Sequence, residues 1–144
     1  MTLKMSLEEL NAFMHEAFAQ VADDFSVEAV APNTVTVRLH VDARHLRPGN
    51  TVSGPSMFAL ADVSVYLAIL AMIGPEALAV TTNCSIDFMR KPAAGVDLIA
   101  RADLLKLGRV LAVGDVRVFS EGMEHPVARA SLTYSIPPKV TPQV

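Results

Sequence analysis

Cysteine is almost missing from this sequence: Cys84 is the only one in 144 residues. An internal disulfide is therefore excluded, and no Cys/His cluster has the spacing of metal ligands. Charge is sparse as well. Asp, Glu, Lys and Arg make up 19% of the chain, the net charge is −3 and the pI is near 5.7. No basic stripe is visible, so nucleic-acid binding has no electrostatic support. The nucleophile-elbow pattern G-x-S-x-G is absent, and no Ser-His-Asp arrangement is suggested. The first residues lack the charged, apolar and small-residue order of a signal peptide, so a reducing cytoplasm is the expected setting. No repeat, linker or low-complexity tract interrupts the chain. The expected organisation is one domain over 1–138 and a loose polar tail over 139–144.

What the chain does have is apolar material. Half of it (51%) is hydrophobic, ample for a packed core. Ser6 and Glu9 form a capping-box pattern. Leu10, Phe13, Met14, Ala17, Phe18 and Val21 then recur at helical spacing, which predicts an amphipathic helix from Leu7 to Ala22. A strand follows around Ser26–Ala31, with a turn at Pro32-Asn33. The next strand alternates: Val35, Val37, Leu39 and Val41 face one way, and Thr34, Thr36, Arg38, His40 and Asp42 the other. A loop over Ala43–Gly54 holds the breakers Pro48, Gly49 and Asn50.

The run from Pro55 to Ile73 is nearly all apolar. A spanning helix needs about 20 such residues. This one is slightly short, holds Asp62 near its middle and stops at Gly74-Pro75. A helix apolar on all sides can also be the buried axis of a globular domain, and no membrane partner is expected. Four strand patterns follow. In the first, strict alternation puts Leu78, Val80, Thr82, Cys84, Ile86 and Phe88 on one face, with Thr81, Asn83, Ser85 and Asp87 on the other. The rest run Val96–Lys106, Val110–Ser120 and Val127–Ile136, and Pro137-Pro138 ends the last. The expected fold is α+β: one antiparallel sheet of five or six strands wrapped around the apolar helix. Its polar second face could then meet a partner subunit.

Asp62 is the outstanding candidate for chemistry. Its helical neighbours are Phe58, Ala59, Val65 and Tyr66, and no basic residue lies within a turn or two. A carboxylate so placed must find partners from elsewhere or change its pKa. The alternative is a carboxylate tied to a loop backbone or a wet interface. The Gly-rich entry to the helix, Pro48 to Pro55, is the second candidate. A helix N-terminus offers free N–H groups and a positive dipole end that can hold a polarised carbonyl oxygen. Read more plainly, Ser53 is an N-cap. Among the histidines (His15, His40, His45, His125) only His45 stands where a dehydratase would want one. Cys84, on an apolar strand face, reads as core.

The stretch Ser53-Gly54-Pro55-Ser56-Met57-Phe58-Ala59-Leu60-Ala61-Asp62 resembles the helix start of hotdog-fold acyl-CoA thioesterases of the phenylacetate-degradation type. That family carries His-Gly-Gly, a short apolar run, then an Asp at this spacing. Ile86 to Pro92 resembles its strand ending in an aromatic and a basic-Pro turn, and Lys106-Leu107-Gly108-Arg109 its next hairpin. The resemblance spans Asn33 to Ile136. It implies a hotdog fold and hydrolysis of an acyl-CoA, with coenzyme A as part of the substrate and neither cofactor nor metal. It implies Asp62 as general base or nucleophile, Gly54 as the N–H that polarises the carbonyl, and Thr81 near a hydroxyl that orients water. It also implies a homodimer or homotetramer with the site shared between subunits. Ser53 stands where the family has His, Pro55 where it has its second Gly, and Arg47 where it has an Asn whose amide Asn50 could replace. Ser53, Phe58 and Tyr66 are expected substrate contacts. Arg90, Lys91, Lys106 and Arg109 could meet the phosphates of coenzyme A. The alternatives are a non-catalytic acyl-CoA-binding protein and an enoyl-CoA hydratase or dehydratase on the same fold.

Overall fold

The computed structural model describes residues 2–138; the expected tail over 139–144 lies outside them. Helix α1 spans Leu7–Ala17 and is capped as expected: the Ser6 hydroxyl accepts from Glu9 N–H at 3.2 Å, and Glu9 Oε1 accepts from Ser6 N–H at 3.0 Å. It ends five residues before Ala22, the expected end. Phe18 leaves helical geometry (φ −132°, ψ 50°) and turns its ring edge-on to Tyr66, with centroids 5.5 Å apart. A tertiary aromatic contact thus overrides a helical periodicity that continues to Val21.

Strands β1 (Phe25–Ala31) and β2 (Thr34–Leu39) form a hairpin, with Asn33 at φ 64° in its turn. The expected loop over Ala43–Gly54 contains a short 3-10 turn and a two-residue ribbon, β3 (Leu46–Arg47) with β4 (Thr51–Val52). Helix α2 runs Gly54–Ile73, with Ser53 as N-cap and Pro55 in its first turn. Strands β5 (Val80–Phe88), β6 (Leu98–Leu107), β7 (Leu111–Ser120) and β8 (Ala128–Ser135) complete one six-stranded sheet. Its order is β1-β2-β6-β7-β8-β5, and every neighbouring pair is antiparallel.

The sheet wraps α2, which packs on β2, β6, β7, β8 and β5. Leu60, Leu67, Ile69 and Leu70 of α2 are fully buried, as are Val37, Leu98, Val118 and Leu132 of the strands. Each such side chain contributes about 1.5–3 kcal/mol through burial. Where α2 crosses β7, Gly114 leaves room for Val65: a Cβ there would lie 3.1 Å from both Val65 methyls. The helix is long and apolar enough to cross a membrane by length and composition, yet 67% of its most apolar stretch is buried inside the fold. This is the hotdog arrangement.

Candidate active site

Asp62 sits two turns into α2, where the helix passes the β8–β5 edge of the sheet. Its Oδ1 accepts from Thr81 Oγ1 at 2.5 Å and from the Tyr134 hydroxyl at 2.7 Å. The Tyr134 hydroxyl is also 2.9 Å from the Asp62 main-chain oxygen. A phenol has one proton, and the carboxylate is the stronger acceptor. The partners Asp62 needed are therefore two neutral hydroxyls. Among the described residues no cation lies within 4 Å of it. Burial, and then the Asp62 charge, push the Tyr134 phenol above its ordinary value, so it stays protonated as a donor.

Thr81 and Tyr134 are directly paired residues of β5 and β8, so both point to the same face. Strict alternation places Thr81 on the polar face, away from the helix. The register shift between Thr81 and Asn83 corrects that expectation. The bulge leaves Thr82 unpaired and reverses the phase, so Thr81 joins Cys84 and Ile86 facing α2. Val80, 55% exposed, faces out instead.

The Asp62 carboxylate opens into a cleft of about 420 Å³. Met14, Phe18 and Val21 wall one side, Val63 and Tyr66 of α2 the floor, and Val80 the rim. The Tyr66 ring is buried, and its hydroxyl has no hydrogen-bond partner among the described residues. Burial, with the Glu76 charge second, pushes that phenol up to about 12. Cys84 also lies near Asp62; burial first, then the Asp62 charge, raise its thiol, which keeps it neutral and suits a core residue rather than a nucleophile.

Gly54 belongs to a second cleft of about 550 Å³ at the start of α2. Its backbone approaches the Phe88 ring, and a Cβ there would lie 3.3 Å from it. The Ser53 hydroxyl caps Ser56 N–H at 3.3 Å, Met57 N–H reaches Ser53 O at 3.1 Å, and Pro55 has no N–H. Gly54 N–H alone in that first turn is left without an acceptor among the described residues. Arg47, Arg90 and Lys91 line the same cleft.

The structure thus brings Asp62, Thr81 and Tyr66 together and adds Tyr134, which reads in the sequence as one more core residue of β8. The signal was present: a tyrosine on a buried face needs a partner for its hydroxyl. It brings Gly54 together with Arg90 and Lys91, but in the other cleft. Eight residues of helix separate Gly54 from Asp62, about 12 Å along the axis. Ser53 is occupied as a cap. Asn50 is exposed at φ 59° in the Arg47–Asn50 turn. Phe58, Lys106 and Arg109 line neither cleft, and Arg109 stands at the exposed turn between β6 and β7. His45 is buried elsewhere, with Nε2 3.5 Å from Asp24 and Nδ1 accepting from Asp42 N–H at 2.9 Å. The dehydratase reading loses its histidine on that ground.

The thioesterase superfamily profile matches residues 49–127, more than half of the chain. This chain belongs to the thioesterase superfamily. A candidate thioesterase from Silicibacter sp. TM1040 is 62% identical over 96% of both chains, with a TM-score of 0.90. The phenylacetic acid degradation protein PaaI of Thermus thermophilus is 33% identical over 87% of this chain and 98% of its own, with a TM-score of 0.68. Zebra fish thioesterase superfamily member 2 shares the fold: 22% identity, 93% and 100% coverage, TM-score 0.82. No curated protein matches the chain. Membership makes the protein a thioester hydrolase of hotdog fold. The matched region holds both clefts' helix, with Gly54 and Asp62, and strand β5 with Thr81; Tyr134 falls beyond it.

Proposed function

We propose that this thioesterase hydrolyses acyl-CoA esters to the free acid and coenzyme A. One observation carries the reading: a carboxylate held by two neutral hydroxyls and, among the described residues, by no cation, opening into an apolar cleft. Thr81 and Tyr134 occupy Oδ1 and leave Oδ2 for chemistry. As general base, Oδ2 takes a proton from water while the water oxygen attacks the thioester carbon. The C–S bond then breaks, and the thiolate recovers that proton. As nucleophile, the carboxylate attacks the thioester carbon, the C–S bond breaks and the thiolate leaves; water then opens the resulting mixed anhydride to the free acid and the Asp62 carboxylate, and the proton released goes to the thiolate. Either route needs a donor for the developing oxyanion, and the unpaired Gly54 N–H at a helix start suits that role.

In one chain Gly54 is too far from Asp62 to serve it. Strand β5 offers a solution. It is a nine-residue edge strand with exposed Val80 and Phe88, open to pairing. Thr81, beside Asp62, is at one end of β5, and Phe88, against Gly54, at the other. Antiparallel pairing with β5 of a second copy, centred near Cys84, brings the second copy's Phe88 and Gly54 to the first copy's Asp62. The thioester carbonyl and coenzyme A then sit on one protomer, with Arg47, Arg90 and Lys91 facing the phosphates, and the acyl group enters its partner's cleft.

The test is free-thiol release from short, long and aromatic acyl-CoA esters by wild type and Asp62→Asn. Hydrolysis that collapses in the variant supports the reading. Wild-type turnover in Asp62→Asn refutes it, and no release from any ester by wild type replaces it with an acyl-CoA-binding role.

A further inference from the structure

We infer that His45, clamped between Asp24 and Asp42, is a positioning residue for the hydrolysis: it holds the peptide that carries the Gly54 N–H. The inference rests on the acyl-CoA reading above, in which that N–H meets the developing oxyanion. His45 and Asp24 are both buried, and neither lines either cleft or touches Asp62. Burying an imidazole beside a carboxylate carries a desolvation cost, so the pair needs a reason of its own.

The contacts are directional. Asp42 N–H donates to His45 Nδ1 at 2.9 Å, and His45 N–H to Asp42 O at 2.9 Å. Because Nδ1 accepts, the ring proton sits on Nε2, 3.5 Å from Asp24 Oδ2. Asp24 Oδ1 accepts from Arg44, whose Nε also lies 3.6 Å from Asp42 Oδ2. The Asp24 backbone is fixed too. Its N–H donates to Val21 O at 3.0 Å, and its carbonyl accepts from His40 N–H at 2.7 Å. The anchor is therefore the turn that joins α1 to β1, and what it holds is the loop that leads into α2.

That loop delivers the Gly54 N–H. His45 O accepts from Ser53 N–H at 2.8 Å, and Ser53 O from Met57 N–H at 3.1 Å. The first bond fixes the Ser53–Gly54 peptide from the loop side and the second from the helix side, so the Gly54 N–H has a set direction. Without the imidazole, Leu46 and Val52 stay paired in the β3–β4 ribbon, but the ribbon loses its tie to Asp24. The cations of the same cleft depend on it less. Arg90 is held from the other side, its Nη1 donating to Pro126 O at 2.8 Å and its N–H to Val127 O at 3.1 Å. The loss of His45 is thus expected in kcat rather than in KM.

The experiment is steady-state thiol release on the ester that wild type turns over fastest. The variants are His45→Leu, His45→Gln, Asp24→Asn and Asp62→Asn, each with a urea midpoint. Leucine fills the site and accepts nothing. Glutamine is a standard third residue of a capping box, and its amide can accept from Asp42 N–H and donate to Asp24. An asparagine at 24 has one acceptor oxygen where the carboxylate has two, so Arg44 and His45 cannot both be served. His45→Leu is expected to lower kcat about 10- to 100-fold, the range for a misplaced donor, with KM nearly unchanged. His45→Gln should recover most of that loss. Asp24→Asn should lower kcat in the same direction, and it decides the matter should His45→Leu fail to fold: wild-type kcat there overturns the inference. Wild-type kcat in His45→Leu, beside an inactive Asp62→Asn, overturns it as well and leaves the acyl-CoA reading standing. A lowered urea midpoint at wild-type kcat, or a raised KM at constant kcat, assigns the clamp to stability or to substrate binding and overturns it too. So does His45→Gln as impaired as His45→Leu at matched urea midpoints. No release from any ester by wild type sinks the acyl-CoA reading and this one together.

Discussion

Replacing Tyr134 by Phe removes one hydroxyl and almost nothing else. That hydroxyl donates to Asp62 Oδ1 at 2.7 Å, beside Thr81 at 2.5 Å. A hydrogen bond to a charged group contributes about 1.5–3 kcal/mol. Without it the carboxylate keeps a single anchor and can swing, so Oδ2 is aimed less often at the thioester. With about 1.4 kcal/mol per tenfold, Tyr134→Phe is expected to lower kcat about 10- to 100-fold. KM should change little, because the ring and its packing against Tyr66 remain. The assay is steady-state thiol release on the best ester of the panel, with a urea midpoint to show that the variant is folded. Thr81→Val removes the second anchor. The two losses should not add, since either alone already frees the carboxylate. Wild-type kcat in Tyr134→Phe, alongside an inactive Asp62→Asn, would refute the clamp and leave Tyr134 as packing.

Other outcomes follow from the same contacts. Gly114→Ala puts a methyl 3.1 Å from two Val65 carbons at the α2–β7 crossing, and overpacking there should cost about 1–3 kcal/mol in urea denaturation; an unchanged midpoint would show that α2 shifts freely. Gly54→Ala meets the half-exposed Phe88 ring at 3.3 Å, which can yield, so the fold should survive while thiol release falls; full activity would remove Gly54 from the carbonyl site. Tyr66→Phe deletes a buried, unpartnered hydroxyl and should be neutral or stabilising by up to about 1–3 kcal/mol, read by thermal or urea unfolding. The Tyr66 phenol is raised from 10.0 to about 12 in the fold, so its contribution to stability is complete below pH 10 and is lost as pH rises to 12. Tyr66→Phe should therefore flatten the alkaline fall in the urea midpoint across that window, and an equal fall in both proteins would contradict the burial argument.

The elements were legible where one local signal dominated. The capping box fixed the start of α1, the unbroken apolar run and Ser53-Gly54-Pro55 fixed α2, and the alternation of Val35, Val37 and Leu39 fixed the buried face of β2. The end of α1 was not legible. Its periodicity runs on to Val21, while Phe18 is drawn off by the ring of Tyr66, which lies far along the chain and leaves no local pattern. Asp62 stood out for a physical reason: an unpaired carboxylate among apolar neighbours carries a desolvation cost that something must offset.

What offsets it was the part the sequence hid. The two donors come from residues 81 and 134, far apart in the chain, and only the β5–β8 register makes them neighbours. One of them faces Asp62 only because a single extra residue, Thr82, breaks the alternation that otherwise turns Thr81 outward. A bulge costs one ladder position and has no strong composition signal in Val80-Thr81-Thr82-Asn83, where every residue suits either face. Its effect is to re-aim one hydroxyl by half a strand period. Deleting Thr82 turns the bulge into a regular ladder and leaves Thr81 opposite Tyr134 on the face of Asp62, so thiol release should be retained where Thr81→Val lowers it. A deletion variant as impaired as Thr81→Val, with an unchanged urea midpoint, would show that the local twist of the bulge, beyond the facing of Thr81, sets the hydroxyl against the carboxylate.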